Sequence, residues 1–471
     1  MLTLADILEA LTGIRPIGAD LVITEASIDS RLTIPGSLFV ALPGERVDGH
    51  TYVGDAFHKG ANIALIQKDL SSLFPILDLT HSEFASHLPL PKVPFCIRVD
   101  NTLLALQQIA RFWRTKLDIR VVGITGSVGK STTKELVADV LTRKGRTLRN
   151  PGNLNNEIGL PLTLLRLGSG YQHAVLEMGF YFPGEISLLC DIAKPQIGVV
   201  TNIGTVHAER AGSQDIIAKG KAELVQALPV DGTAILNYDD PRVRAMADQT
   251  KANVLYYGLD SNADLWASDI VGEGLEGIRF TLHHHGEDFQ LRVPLIGQHS
   301  VHTVLRAAAV CVAEGMSWGD IIYALRFSRT QLRLVAVHAF NGAMILDDTY
   351  NASPESTLAA LNLLEELDGH KIAVLGDMLE LGPYEQEGHE KVGIRAAEVV
   401  SDMVTLGEKG KIIADAAHNA GLSSNHIQAC ESTDEIIEFL KSSLTPEDVL
   451  LVKGSHGMRM DKIVTALEGT I

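Results

Sequence analysis

Short apolar runs recur along the chain, and their spacing predicts two open sheets. Residues 121–125, 174–178, 197–201 and 234–236 are each almost wholly apolar and are separated by stretches of helical periodicity. A strand with one wet face alternates; a continuous apolar run is buried on both faces, as in a parallel sheet covered by helices. A second series at residues 343–346, 372–375, 403–406 and 449–452 repeats the pattern and predicts another α/β sheet. Between them, residues 278–295 alternate and predict a hairpin turning at His285-Gly286. Residues 1–11 read as a short amphipathic helix. Residues 213–228 read as another, with Ile217, Leu224, Val225 and Leu228 on its apolar face. Lys221 falls near the middle of that face, while Lys219 and Glu223 point the other way.

This alternation divides the chain into three parts: residues 1–100, rich in short strands and turns, residues 101–328, and residues 329–471. The first part ends near a proline-rich stretch at residues 87–94, which disfavours helix and strand and reads as a loop or linker near a boundary. A length of 471 residues is too great for one core. Hydrophobic residues make up 46% and charged residues 21%, which indicates a folded globular protein. The net charge of −18 argues against nucleic acid as a partner, because that needs a basic face. Cys96, Cys190, Cys311 and Cys430 lie far apart, so reduced thiols are expected, not a zinc site or a disulfide framework. The first residues lack a basic segment and a cleavage site, and no apolar run is long enough for a bilayer. A cytoplasmic enzyme without membrane contact is the expectation. Internal repeats and low-complexity tracts are absent.

The most specific chemistry lies in Val121-Val-Gly-Ile-Thr-Gly-Ser-Val-Gly-Lys-Ser-Thr-Thr133. It predicts a buried strand, a glycine-rich loop and a helix opening at Lys130-Ser131. Loop and helix N–H groups there would cradle phosphate, Lys130 would reach the terminal phosphates, and the Ser131 hydroxyl would hold Mg²⁺. The strict motif places its first glycine where Ile124 stands. Glu177, at the carboxyl end of a predicted strand, is a candidate Mg²⁺ ligand, since ligands of open α/β sheets gather there. His207, in the loop after the next strand, could serve a second metal. Lys221 on its apolar face is costly unless it snorkels, pairs or changes its charge, and a neutralised or modified lysine near the site is the functional reading. His283, His284 and His285 invite a metal assignment, but a hairpin splits them between faces. Asp347-Asp-Thr-Tyr-Asn-Ala-Ser-Pro-Glu-Ser356 holds more polar groups at a strand end than a helix cap needs.

Together these segments resemble the Mur ligases of peptidoglycan synthesis over nearly the whole chain. Gly123-Ile-Thr-Gly-Ser-Val-Gly-Lys-Ser-Thr132 is similar to the family's phosphate loop, including its spacing. Asp29-Ser-Arg31, the stretch at residues 39–50 and Asn153-Leu-Asn-Asn-Glu-Ile-Gly-Leu-Pro161 resemble its substrate segments. The stretches at residues 347–354 and 375–382, with His389 and Lys453-Gly-Ser455, resemble the member that adds D-alanyl-D-alanine. The resemblance implies an α/β protein of three domains: a small N-terminal UDP-sugar domain, a central phosphate-loop ATPase domain with a parallel sheet, and a Rossmann-like C-terminal domain taking the incoming dipeptide. It implies an ATP-dependent amide ligase joining D-alanyl-D-alanine to UDP-N-acetylmuramoyl-tripeptide through an acyl phosphate; the oligomeric state stays open, with a monomer as the default expectation. By the same resemblance Thr125, Gly126, Ser127, Val128, Gly129, Lys130, Ser131, Thr132, His299, Arg333 and Asp348 would bind ATP. Ser30, Arg31, Asp48, Gly49, His50, Asn153, Asn156, Tyr350, Asn351 and Lys453 would bind substrates. Lys130, Lys221, Glu177 and His207 would be catalytic. Ser131, Glu177, His207 and a carbamylated Lys221 would hold Mg²⁺ at two sites. The chain departs from the family's usual pattern at Ser300 and Thr303, where asparagines associated with the adenine end are customary, and at His456, where an arginine usually follows Lys-Gly-Ser. Two rival readings are a folylpolyglutamate synthase-like ligase and a non-catalytic nucleotide-binding regulator.

Overall fold

The computed structural model describes residues 1–44, 47–80, 89–205, 208–328 and 334–469. The chain forms two compact units. One comprises residues 1–123, 145–179 and 185–196, the other residues 124–144, 180–184 and 197–471.

In the first unit, the strands Ala26–Ser27, Leu38–Val40, Ile63–Ile66, Phe95–Arg98 and Ile76–Asp78 form a parallel sheet in that spatial order. The proline-rich stretch, so far as it is described, is a loop inside this sheet, leading into Phe95–Arg98. The helix Leu4–Thr12 starts at a capping box in which Thr3 and Asp6 bond reciprocally. The helix Thr102–Thr115 is capped by Asn101, and Gly159–Leu164 and Glu185–Ala193 pack against it. Buried Arg114 on that helix donates to the Ala193 carbonyl at 2.9 Å and the Ile119 carbonyl at 3.1 Å, so backbone acceptors compensate its burial. The strands Thr147–Arg149 and His173–Glu177 pair in parallel in this unit. Every residue of His173–Glu177 is buried, as its unbroken apolar core predicts.

In the second unit, Ile197–Val200, Thr233–Asn237, Asn253–Gly258 and Leu265–Gly272 run parallel in that order. Two antiparallel strands, Ile278–His284 and Glu287–Val293, extend the sheet. They join through His285 (φ 49°) and Gly286 (φ 81°), the pair of left-handed residues a two-residue hairpin turn requires. His283 stacks on Trp266 and meets Asp288, while His284 lies beside Trp318. The helices Lys130–Leu141 and Val301–Ala313 pack together. A further sheet has the order Val335–His338, Met344–Asp348, Asp448–Lys453, His370–Gly376, Asp402–Leu406, Ile427–Cys430. All its pairs are parallel except the first. Its two outermost strands keep a face towards water: Val335–His338 is half-buried, although residues 334–337 are all apolar, and two of the four residues of Ile427–Cys430 are exposed.

Candidate active site

The strand Arg120–Thr125 ends at the loop that defines the site. Gly126 and Gly129 have φ of 143° and 83°, and the helix Lys130–Leu141 begins directly after them. Neighbouring side chains brace the loop. Val128 N–H donates to Asn202 Oδ1 at 2.9 Å, and the Val128 carbonyl accepts from Thr201 Oγ1 at 2.7 Å. Ser127 Oγ accepts the Gly204 N–H at 2.8 Å. Ser131 and Thr132 stand half-buried on the first turn of the helix. Lys130 Nζ curls back to the carbonyls of Gly126 at 2.9 Å and Ser127 at 3.1 Å.

The helix Gln214–Gln226, capped by Ser213, places Lys221 against this loop. Its Nζ donates to the Gly126 carbonyl at 3.0 Å and lies 5.1 Å from the centre of the Phe180 ring. Only 1% of Lys221 is exposed. Burial, reinforced by the charge of Lys130, pushes its amine well below the ordinary lysine range and favours the neutral form. Lys219 is exposed, and Glu223 receives the Gly184 N–H.

In the other unit, Glu177 ends its strand with a buried carboxylate that accepts from Asn155 Nδ2 at 2.9 Å. Asn150 bonds both the N–H and the carbonyl of Glu177, fixing the backbone there. Asn153 is exposed, and Asn156 Oδ1 accepts the Gly159 N–H at 2.9 Å as a helix cap. In the same unit, Asp29 pairs with exposed Arg31 at 2.7 Å, which holds its carboxyl down at about 2, and Ser30 beside it is buried. Asp48 accepts from Lys68 and from His50. His50 Nε2 in turn accepts the Gln67 N–H at 2.9 Å, so both ring nitrogens order the loop. Gly49 is required there: a Cβ would lie 2.8 Å from backbone atoms of Leu42.

The segments quoted from the C-terminal third converge. Lys453, almost fully buried, donates to Asp348 at 2.6 Å and to the Asn351 carbonyl at 2.8 Å. Leu379 N–H donates to Ser455 Oγ, and Met378 N–H to Nε2 of buried His389, whose Nδ1 meets the Glu385 carbonyl. Tyr350 is exposed, with its ring 6.1 Å from that of His456. His299 sits exposed on the short helix Gln298–Ser300. His207 and Arg333 lie outside the described residues. The sequence reading named no role for Asn150, Asn155, Thr201, Asn202 or Arg306. Only Arg306 carried a signal, a cation inside the apolar run of the helix Val301–Ala313.

The chain belongs to the Mur ligase family. The family's middle-domain model matches residues 124–311, its glutamate ligase domain residues 329–456, and its catalytic domain residues 22–114. Within the family, the chain is 35% identical to the UDP-N-acetylmuramoyl-tripeptide–D-alanyl-D-alanine ligase of Bacillus subtilis, covering 95% of this chain and 93% of that protein. It superposes on the crystal structure of MurF from Acinetobacter baumannii with a TM-score of 0.83 at 28% identity, covering 98% and 97% of the two chains. For MurF of Thermotoga maritima in complex with ADP the TM-score is 0.79 at 27% identity, with 95% and 97% covered. Among the described residues no helix is long and apolar enough to cross a membrane.

Proposed function

We propose that this chain is an ATP-dependent ligase that adds D-alanyl-D-alanine to UDP-N-acetylmuramoyl-tripeptide. The observation that carries the reading is 35% identity to a ligase of that name over 95% of the chain, with the phosphate-loop lysine in place. The γ-phosphate passes to the terminal carboxylate of the tripeptide, giving an acyl phosphate and ADP. The neutral amine of D-alanyl-D-alanine attacks the carbonyl carbon, loses a proton and expels phosphate.

In this reading residues 1–100 take the UDP-sugar through Ser30, Arg31, Asp48, Gly49 and His50, with Asn153 and Asn156 contributing from the central part. Residues 101–328 take ATP, and residues 329–471 the dipeptide through Tyr350, Asn351 and Lys453. Lys130 leaves the carbonyls of its own loop to meet the β- and γ-phosphates, while His299, Arg333 and Asp348 hold the nucleoside. Ser131, Glu177 and His207 offer donors for two magnesium ions, and a hydroxyl and a carboxylate are the hard oxygens that ion prefers. Magnesium, when bound, offsets the repulsion as carboxylate and phosphate meet. Burial and the charge of Lys130 lower the Lys221 amine well below the ordinary lysine range, which favours the form whose lone pair adds to carbon dioxide. Loss of one N–H proton then gives an anionic carbamate, a further oxygen ligand. We place the enzyme in the cytoplasm as a monomer.

Two of the departures from the family's usual pattern, Ser300 and Thr303, have structural occupations. Ser300 Oγ donates to the Ile296 carbonyl at 2.7 Å, and Thr303 Oγ1 accepts from Arg306 at 2.8 Å.

The test is phosphate release from ATP with and without the UDP-tripeptide and D-alanyl-D-alanine. Release that needs both, with the pentapeptide product seen by mass, is expected, and Lys130→Ala abolishes it. Nucleotide binding without dependence on either substrate would reject the proposal.

A further inference from the structure

Arg306 is a buried cation beside the phosphate loop. It lies on the helix Val301–Ala313 and is 4% exposed. Its Nε donates to Thr133 Oγ1 at 2.8 Å, Nη2 to Thr303 Oγ1 at 2.8 Å, and Nη1 points to the Tyr257 hydroxyl at 3.4 Å. All three partners are neutral. Among the described residues no carboxylate pairs with the guanidinium, although a buried charge normally has a counter-charge. The fork reaches the loop: a Cβ on Gly129 would lie 3.0 Å from Nη2. Thr133 belongs to the first turn of the helix Lys130–Leu141, whose N-terminus is itself electropositive, so the cation sits where the helix dipole disfavours it. The arrangement is connected onward. Tyr257 OH donates to the Thr201 carbonyl at 3.0 Å, and Thr201 Oγ1 holds the Val128 carbonyl of the loop.

We propose that Arg306 is a nucleotide-binding residue, a fixed positive charge set against the phosphate loop that the phosphates of a nucleoside di- or triphosphate neutralise. The proposal rests on the reading of the loop as the ATP site. Thr303 is part of the same device. Its hydroxyl accepts from Nη2 and keeps the guanidinium turned to the loop. The empty protein carries the unfavourable charge, and bound nucleotide removes it.

The experiment measures ADP affinity by calorimetry, the KM for ATP and the two other substrates, and the melting temperature with and without ADP. Three variants are compared: Arg306→Met, Arg306→Lys and Lys130→Ala. Methionine keeps the apolar stem and removes the charge. With Arg306→Met we expect ADP affinity to fall and KM for ATP to rise roughly tenfold or more, the KM of the other substrates to hold, and the melting temperature without ADP to stay level or rise. Arg306→Lys restores the charge without the fork and recovers part of the affinity. ADP affinity within twofold of the wild type in Arg306→Met overturns the proposal. So does a fall in melting temperature in parallel with a rise in all three KM values in both Arg306 variants, which marks a purely structural residue. If Arg306→Met does not fold, Arg306→Lys decides: affinity lost at an unchanged melting temperature supports a binding role, and unchanged affinity overturns it. Undiminished ADP binding in Lys130→Ala would instead overturn the ATP-site reading itself.

Discussion

Replacing Gly126 by alanine tests the link between loop geometry and turnover. Gly126 has a φ of 143°, and a Cβ built there falls 1.8 Å from Thr201 Oγ1 and 3.0 Å from the Thr201 backbone nitrogen. Nonbonded heavy atoms rest about 3.5 Å apart, so loop and Thr201 must separate by more than about 1 Å. The backbone at that φ adds roughly 1–3 kcal/mol of strain for a residue with a side chain. Separation also stretches the Thr201–Val128 hydrogen bond, worth about 1 kcal/mol. Strain and the stretched hydrogen bond together cost about 2–4 kcal/mol, and the separation moves the loop proposed to hold the phosphates. A misplacement of about 1 Å in a phosphoryl-transfer site costs on the order of a hundredfold in rate. Phosphate release with both substrates present, paired with a melting curve, is the assay. Gly126→Ala should remain folded, melt lower and turn over on the order of a hundredfold more slowly. Adding Thr201→Ala removes the hydroxyl but not the backbone nitrogen, so the double variant recovers only part of the activity. Turnover of the single variant within threefold of the wild type would refute the reasoning.

Two further predictions follow from buried or paired charges. Lys221→Ala removes the amine bonded to Gly126 and should abolish turnover, with partial rescue by short-chain carboxylates that replace a carbamate; full activity in the variant would eliminate the carbamate. Asp6 is drawn upward by burial, but hydrogen bonds from Thr3, Arg15 and Lys116 outweigh this and hold its carboxyl at about 2 against an ordinary 3.8. A lowered carboxyl pKa stabilises the fold above the unfolded value and loses that effect as pH falls from about 4 through about 2. Asp6→Asn should therefore cost about 1 kcal/mol at pH 7, after discounting for solvent screening, and little at pH 2. Equal losses at both pH values in urea unfolding would contradict the assignment.

The sequence revealed those features whose cause is local. Buried central strands declare themselves because both faces are apolar, and His173–Glu177 and Ile197–Val200 lie where the apolar runs placed them. The phosphate loop was legible because its glycines, lysine and serine follow one another in the chain. The hairpin turn at His285-Gly286 was legible because the alternation breaks there. Lys221 stood out because helical periodicity alone puts it on an apolar face. The edge strand Ile427–Cys430 was not legible, since Gln428 interrupts its short apolar run, whereas the apolar residues 334–337 were a signal for Val335–His338 that went unassigned.

What holds those local features in place is long-range and left little trace in the chain. The clamp of Asn202 and Thr201 on Val128 joins residues more than seventy positions apart. Lys221 reaches the Gly126 carbonyl across 95 positions, and Lys453 reaches Asp348 across 105. Arg306 meets Thr133 across 173. Polar side chains such as Asn155 or Asn202 read as ordinary loop residues until the fold surrounds them with partners and removes water, and then each hydrogen bond becomes a requirement. Sequence alone marked the glycine-lysine-serine loop and the core strands, because motif and periodicity are properties of neighbours in the chain. Tertiary structure alone decided which distant side chains brace the loop and which charges go without a counter-charge, because burial and pairing exist only once the chain has packed.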